Sequence, residues 1–266
     1  MPSLTAATAT ENHRRAQGRL AAATVADMLT LWSRVDPFNL AGTVDGWLTQ
    51  VLDLIRHNRA TSISLAQTYF LEFRTIELGR SAGPAPPPAP DNPQWPKAAA
   101  ASLLATGPSR VKTLSSNGIP PVVAADKAGP EVAAAAARHV TNGGRSHVER
   151  TARTDRRAVG YRRVTSDDPC FWCAMLAGRE VLYASEESAR DRYVDGQVDT
   201  FHTGCNCQIE TVYRYGTPLS AQSQAHAALW ETAVKDEGHK GKAAVRAFRR
   251  AYYAQQRDKA KAAAAT

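Results

Sequence analysis

Long apolar runs are missing from these 266 residues: no stretch of about 18 consecutive apolar side chains occurs, so no helical membrane span is expected. The start, Met1-Pro2-Ser3-Leu4, lacks the basic and then apolar regions of a secretory leader, so a protein made and kept in a cytoplasm is expected. Aromatic residues are scarce at 7%, while apolar residues reach 43% because alanine makes up the difference. A core divided among helical segments follows, instead of one dense unit. No segment repeats at a fixed period. No G-x-S-x-G elbow and no convincing Ser/His/Asp or Ser/Lys set is present, which takes away the usual marks of a serine hydrolase.

What is there is largely helical periodicity. Val25, Met28, Leu29, Trp32 and Val35 fall at three- and four-residue steps, and Val44, Trp47, Leu48, Val51, Leu54 and Ile55 repeat the pattern. Pro37 and Gly42 punctuate the gap, and a third helix is expected from about Ser62 to Leu78, ending before Gly79. Residues 83–96 read G-P-A-P-P-P-A-P-D-N-P-Q-W-P. Prolines lack amide donors and push their predecessors to extended geometry, so this reads as a linker or arm. Alanine-rich helices are expected around Lys97–Ala105 and Val122–Val140, with a break at Asn142-Gly143-Gly144. Beyond Pro218, Leu229, Trp230, Ala233 and Val234, then Val245, Phe248 and Tyr252, mark apolar helix faces backed by Lys and Arg.

The formal charge of +8 is unevenly spread, since the first 90 residues are close to neutral. The surplus sits in two stretches, one with Arg145, Arg150, Arg153, Arg156, Arg157, Arg162 and Arg163 against few acids, the other from Lys235 to Lys261. The seven arginines are the candidate phosphate contacts, for nonspecific double-stranded DNA, with Tyr161 among them able to stack. The bland alternative is a solvated arginine-rich helix face.

Cysteine is rare, and all four lie between Cys170 and Cys207: Cys170-Phe171-Trp172-Cys173, then His202-Thr203-Gly204-Cys205-Asn206-Cys207. Zinc takes four soft or borderline ligands at tetrahedral angles, and a C-x-x-C turn brings two thiolates to one ion. The ligands are either Cys170, Cys173, Cys205 and Cys207, or a set in which His202 replaces Cys205 or Cys207. Disulfides do not suit a chain without a secretory leader, and inert buried thiols do not cluster in this way. An all-thiolate zinc site is closed and structural, so Zn2+ is expected as a structural ion and not as a catalyst. A Cys205–His202 nucleophilic pair has no specific support, and Asp167-Asp168 and Glu186-Glu187 read as solvated caps.

The expected strands are Val181-Leu182-Tyr183 and Ile209–Tyr213, forming a short hairpin at the knuckle. The expected fold is therefore mainly α with a small α+β zinc-binding module. Its segments are a helical N-terminal domain over 1–82, a proline-rich linker over 83–97, an Ala/Arg-rich helical segment over 98–163, the Cys/His module over 164–216, and basic C-terminal helices over 217–266.

The order C-F-W-C-A-M-L-A-G-R-E-V-L-Y-A-S, followed by F-H-T-G-C-N-C-Q-I-E-T-V-Y, resembles the C-terminal module of the Mu F-like minor head proteins of tailed phages. That module ends in an H-x-x-C-x-C segment, here His202 to Cys207. The resemblance covers about Tyr161 to Tyr215. This chain departs from the pattern in having Thr203-Gly204 where a proline and a polar residue often stand, and in the long basic helix that follows. The resemblance implies a minor capsid protein inside the phage head, in the host cytoplasm during assembly. Its implied partners are the portal protein and a major capsid or scaffolding protein. An enzyme, whether a capsid maturation protease or a nucleic-acid-processing activity, is the disfavoured alternative.

Overall fold

The computed structural model describes residues 5–166, 168–178 and 204–264. These residues are mainly helical, with one two-stranded antiparallel sheet among them. None of their helices is long and apolar enough to cross a membrane. They divide into two compact units, the first running to Asp155 and taking in Gly204, the second holding the remaining described residues from Arg156 onward.

The first unit is built on three long helices that pack on one another, α1 (Ala6–Trp32), α2 (Leu40–Leu78) and α5 (Pro121–Thr154). The second and third helices expected from periodicity are one continuous helix, because nothing between Ile55 and Ser62 interrupts the hydrogen-bond ladder of α2. Thr5 and Asn39 cap α1 and α2, their side chains accepting from Thr8 N and Gly42 N. Two short helices, α3 (Trp95–Thr106) and α4 (Pro108–Ser116), pack against α5. Each of α3, α4 and α5 has a proline in its first turn, where the missing amide costs nothing.

One end of this unit is apolar. Met28, Val51, Ile55, Leu103 and Val132 are fully buried there with a row of alanines. Trp32 meets Trp47 edge-on at 5.2 Å, and its indole N–H donates to Ala125 O at 3.0 Å. Farther along, the same three helices meet through polar groups. Ser62 Oγ donates to Gln17 Oε1 at 2.7 Å, Gln17 Nε2 donates to Ser62 O at 2.9 Å, and Gly144 N donates to Ser62 Oγ at 3.1 Å. The break expected at Asn142-Gly143-Gly144 is not there: α5 runs through it. A Cβ on Gly144 would lie 2.8 Å from Ser62 O, and one on Gly143 would lie 2.7 Å from Arg59 Cγ. The glycines thus serve close helix approach and not chain reversal.

The proline-rich stretch is free of helix and strand over residues 83–92, while Trp95 and Pro96 at its end open α3, and it does not separate two domains. Asp91 takes a bidentate pair of bonds from Arg59 at 2.6 and 2.7 Å, Arg150 donates to Pro90 O at 2.8 Å, and Ala89 N donates to Thr151 Oγ1 at 3.3 Å. It is a strap bound along its own unit. The boundary falls instead after Asp155, whose carboxylate accepts from Arg74 Nε at 2.7 Å with both side chains buried.

The second unit pairs β1 (Gly160–Val164) with β2 (Gln208–Val212), in the register Tyr161↔Thr211 and Arg163↔Ile209. The strand expected at Val181-Leu182-Tyr183 lies outside the described residues; the one expected at Ile209–Tyr213 is β2. Its strand companion is GYRRV, inside what reads in sequence as an arginine-rich run. Helix α6 (Phe171–Ala177) packs on α7 (Ala221–Trp230) and α8 (Gly241–Ala264) around Ala174, Met175, Val234, Phe248 and Tyr252.

Candidate metal centre

Cys170 stands at the N-cap of α6, in extended geometry, and its Sγ accepts from Cys173 N at 3.4 Å. The C-x-x-C spacing therefore spans the first turn of a helix, which points both sulfurs toward the helix start. Two contacts hold that turn. Tyr252 of α8 donates its hydroxyl to Pro169 O, and the Arg249 guanidinium lies over the Phe171 ring, 5.1 Å from its centre. Gly178 closes the helix beside α7, where a Cβ would meet Ala227 N at 2.8 Å.

The other two cysteines come on the irregular segment that leads into β2. The sulfurs of Cys173, Cys205 and Cys207 all lie within 4.8 Å of one another, with Cys173 Sγ and Cys205 Sγ 3.3 Å apart. All four cysteines are free thiols; Cys173 and Cys207 are buried, Cys170 and Cys205 half-buried. Four thiolates about 2.3 Å from a tetrahedral ion stand roughly 3.8 Å apart, so three sulfurs of this set already have the spacing that a thiophilic cation needs. Cys170 hydrogen-bonds with Cys173 but is not one of the three cysteines whose sulfurs gather. His202 lies outside the described residues.

The electrostatics point the same way. Hydrogen bonds with Cys170, then Cys205 and Cys207, together with burial, raise the Cys173 thiol far above its ordinary range. For Cys207 the bond with Cys173 lowers the thiol, but the bond with Cys205 and burial outweigh it and push it to about 12, tempered by the Arg163 charge. Crowded sulfurs without a cation stay protonated because each new thiolate would face its neighbours in a dry site. A divalent ion removes that obstacle by replacing the protons.

Two of the seven arginines expected to contact DNA, Arg145 and Arg163, are buried. Arg145 is 1% exposed and donates to Thr141 Oγ1 at 2.9 Å and Asn142 Oδ1 at 3.0 Å. Arg163 is buried as well. These two are closed to phosphate: Arg145 lies on the buried face of α5, and Arg163 on the inward side of the alternation in β1. Arg162 pairs with Glu210 at 2.5 Å, Arg153 with Glu149 at 2.6 Å, and Arg150 with the strap. Arg156 and Arg157 are exposed in the turn after α5. Sequence reading missed the part that Tyr252 and Arg249 play in holding the C-x-x-C turn; the four-residue step from Phe248 to Tyr252 was the available signal. Asp168 is exposed, consistent with a solvated cap, whereas Asp167, Glu186 and Glu187 lie outside the described residues.

The sequence profile of the VG15 protein family matches residues 4–233, which takes in all of the first unit and the cysteine centre and stops before α8. No curated protein and no solved structure matches the chain.

Proposed function

The chain belongs to the VG15 protein family, a family of phage proteins, and on that premise we propose that it is a minor head protein, associated with the portal inside the procapsid and carrying a structural zinc ion. The observation that carries this reading is the convergence of Cys173, Cys205 and Cys207, in the C-x-x-C and C-x-C order on which the resemblance to Mu F-like proteins rests. Cys170 completes a four-thiolate set; in the alternative set His202 replaces Cys205 or Cys207. Bound zinc supplies folding free energy and no reaction, since a site filled by four protein donors has no open position. The chain's own contribution is the helix turn and the segment before β2 that preset the sulfurs. Contact with the portal, with a major capsid or scaffolding protein, and with packaged double-stranded DNA belongs to the same reading.

Two measurements test it. Elemental analysis of purified protein should give about one zinc per chain, released together with the structure of the second unit on chelation. Tagged protein should sediment with procapsids and be captured by the portal. Metal-free protein with four titratable thiols and unchanged structure overturns the zinc assignment; absence from assembled heads overturns the head assignment.

A further inference from the structure

The second basic stretch of this chain differs from the one that holds the seven arginines in lying largely on one helix. Helix α8 holds seven Lys and Arg against one acid, Asp258, in a chain of formal charge +8. At 3.6 residues per turn, Lys242, Arg246, Arg249, Arg250, Arg257 and Lys261 share an arc of about 120° with Tyr253 at its middle. The opposite side of the helix carries Ala244, Phe248 and Tyr252, buried in the second unit. All six cations are exposed, none forms an ion pair with a described residue, and Tyr253 remains 40% exposed among them. The stripe runs about 29 Å along the helix axis.

We propose that this face of α8 is the surface by which the protein contacts double-stranded DNA, through the phosphate backbone and without sequence preference. Lys242–Arg246, Arg246–Arg250 and Arg257–Lys261 are like charges four residues apart, an arrangement that costs a few tenths of a kcal/mol per pair in an isolated helix. A polyanion relieves that repulsion and releases its condensed counterions. A membrane surface fits less well. Basic amphipathic helices bind lipid by burying their apolar face, and here that face is occupied by Met175, Val234 and Ala174. The proposal rests on the reading that the protein meets packaged DNA; it relocates that contact to an element beyond the family match.

The test is the salt dependence of binding to a short mixed-sequence duplex, with full-length zinc-loaded protein between about 50 and 200 mM salt. The triple variant Arg246→Gln, Arg250→Gln, Arg257→Gln changes only exposed side chains. It should lower the slope of log affinity against log salt by up to about 2.7, at about 0.9 per lost phosphate contact, while its circular dichroism stays that of the parent. The variant Arg153→Gln, Arg156→Gln, Arg157→Gln should leave the slope in place. The reverse pattern overturns the α8 assignment and leaves DNA contact standing. No duplex binding by the parent protein overturns both. Binding to phosphatidylserine vesicles as tight as to the duplex overturns the proposal in favour of a lipid surface.

Discussion

His13 and His139 hold imidazoles in places where a positive charge is unwelcome. His13 is stacked on Tyr69 with ring centres 4.4 Å apart, and burial, then the Arg145 charge, lowers its pKa to about 4. His139 is lowered to about 4 by burial and by Arg138 and Arg59. Between about pH 6.5 and pH 4 the unfolded chain binds protons at these positions and the folded chain does not, so stability falls as pH falls through that window. Each histidine contributes on the order of 3 kcal/mol, fully present above about pH 6.5 and gone below about pH 4. His13→Phe keeps the stack on Tyr69 and removes one titration. Urea midpoints measured from pH 7 to pH 4 should fall less steeply for the variant than for the parent; identical slopes would show that His13 is not a neutral buried base. Neither histidine was visible as special in sequence, because a lone histidine on a helix has no local mark of what it packs against. The same holds for Arg145 and Arg163: the run of arginines hides that these two turn inward.

At the level of the element, the instructive case is α5. Its two adjacent glycines read locally as a stop, since glycine weakens an isolated helix. Yet the helix continues, because α2 approaches so closely that only a hydrogen fits. Gly144→Ala puts a methyl group 2.6 Å from Gln17 Nε2 and 2.8 Å from Ser62 O, and the carbonyl belongs to a helix backbone that does not yield. A loss of about 1–3 kcal/mol is expected from overpacking, after the helix-propensity gain is counted. Gly46→Ala is the control: that glycine lies in α2 with nothing within 4 Å of an added Cβ, and the same substitution there should stabilise by about 0.5–1 kcal/mol. Thermal unfolding of both variants decides it. Equal effects of one sign would mean that α2 and α5 are not packed through Ser62. Helix existence was legible from the spacing of Trp32, Trp47, Val51 and Ile55. Helix continuity was not, being a property of the neighbour. Strand β1 was concealed because its inward residues are Tyr161 and Arg163, which carry no apolar alternation.

For the molecule as a whole, three of the four cysteines that cluster in sequence, Cys173, Cys205 and Cys207, gather in the fold, whereas the first unit ends at Asp155 and not at the proline-rich stretch. Prolines suggested a flexible linker near residue 90, whereas the Arg59–Asp91 pair and the Arg74–Asp155 pair tie the strap and the end of α5 into the first unit. The consequence is a different expectation for how the protein comes apart. The buried clusters around Ile55 and around Phe248 share no residue, and the chain passes from one unit to the other after Asp155. Cys173→Ser removes a buried sulfur from the candidate metal centre and so withdraws the folding free energy that zinc gives to residues after Arg156. In that variant, hydrogen exchange should show lost protection in α6, β2, α7 and α8 together, while amides of α1, α2 and α5 exchange as in the parent protein. Limited proteolysis should then leave a resistant fragment that ends near Asp155, including the proline-rich strap. Asp155→Ala should do the opposite, leaving Arg74 as an uncompensated buried charge at a cost of about 3–5 kcal/mol to the first unit alone. A resistant fragment that instead ends near residue 83, or simultaneous loss of protection in α2 and α8 in either variant, would mean that the two cores are not independent folding units.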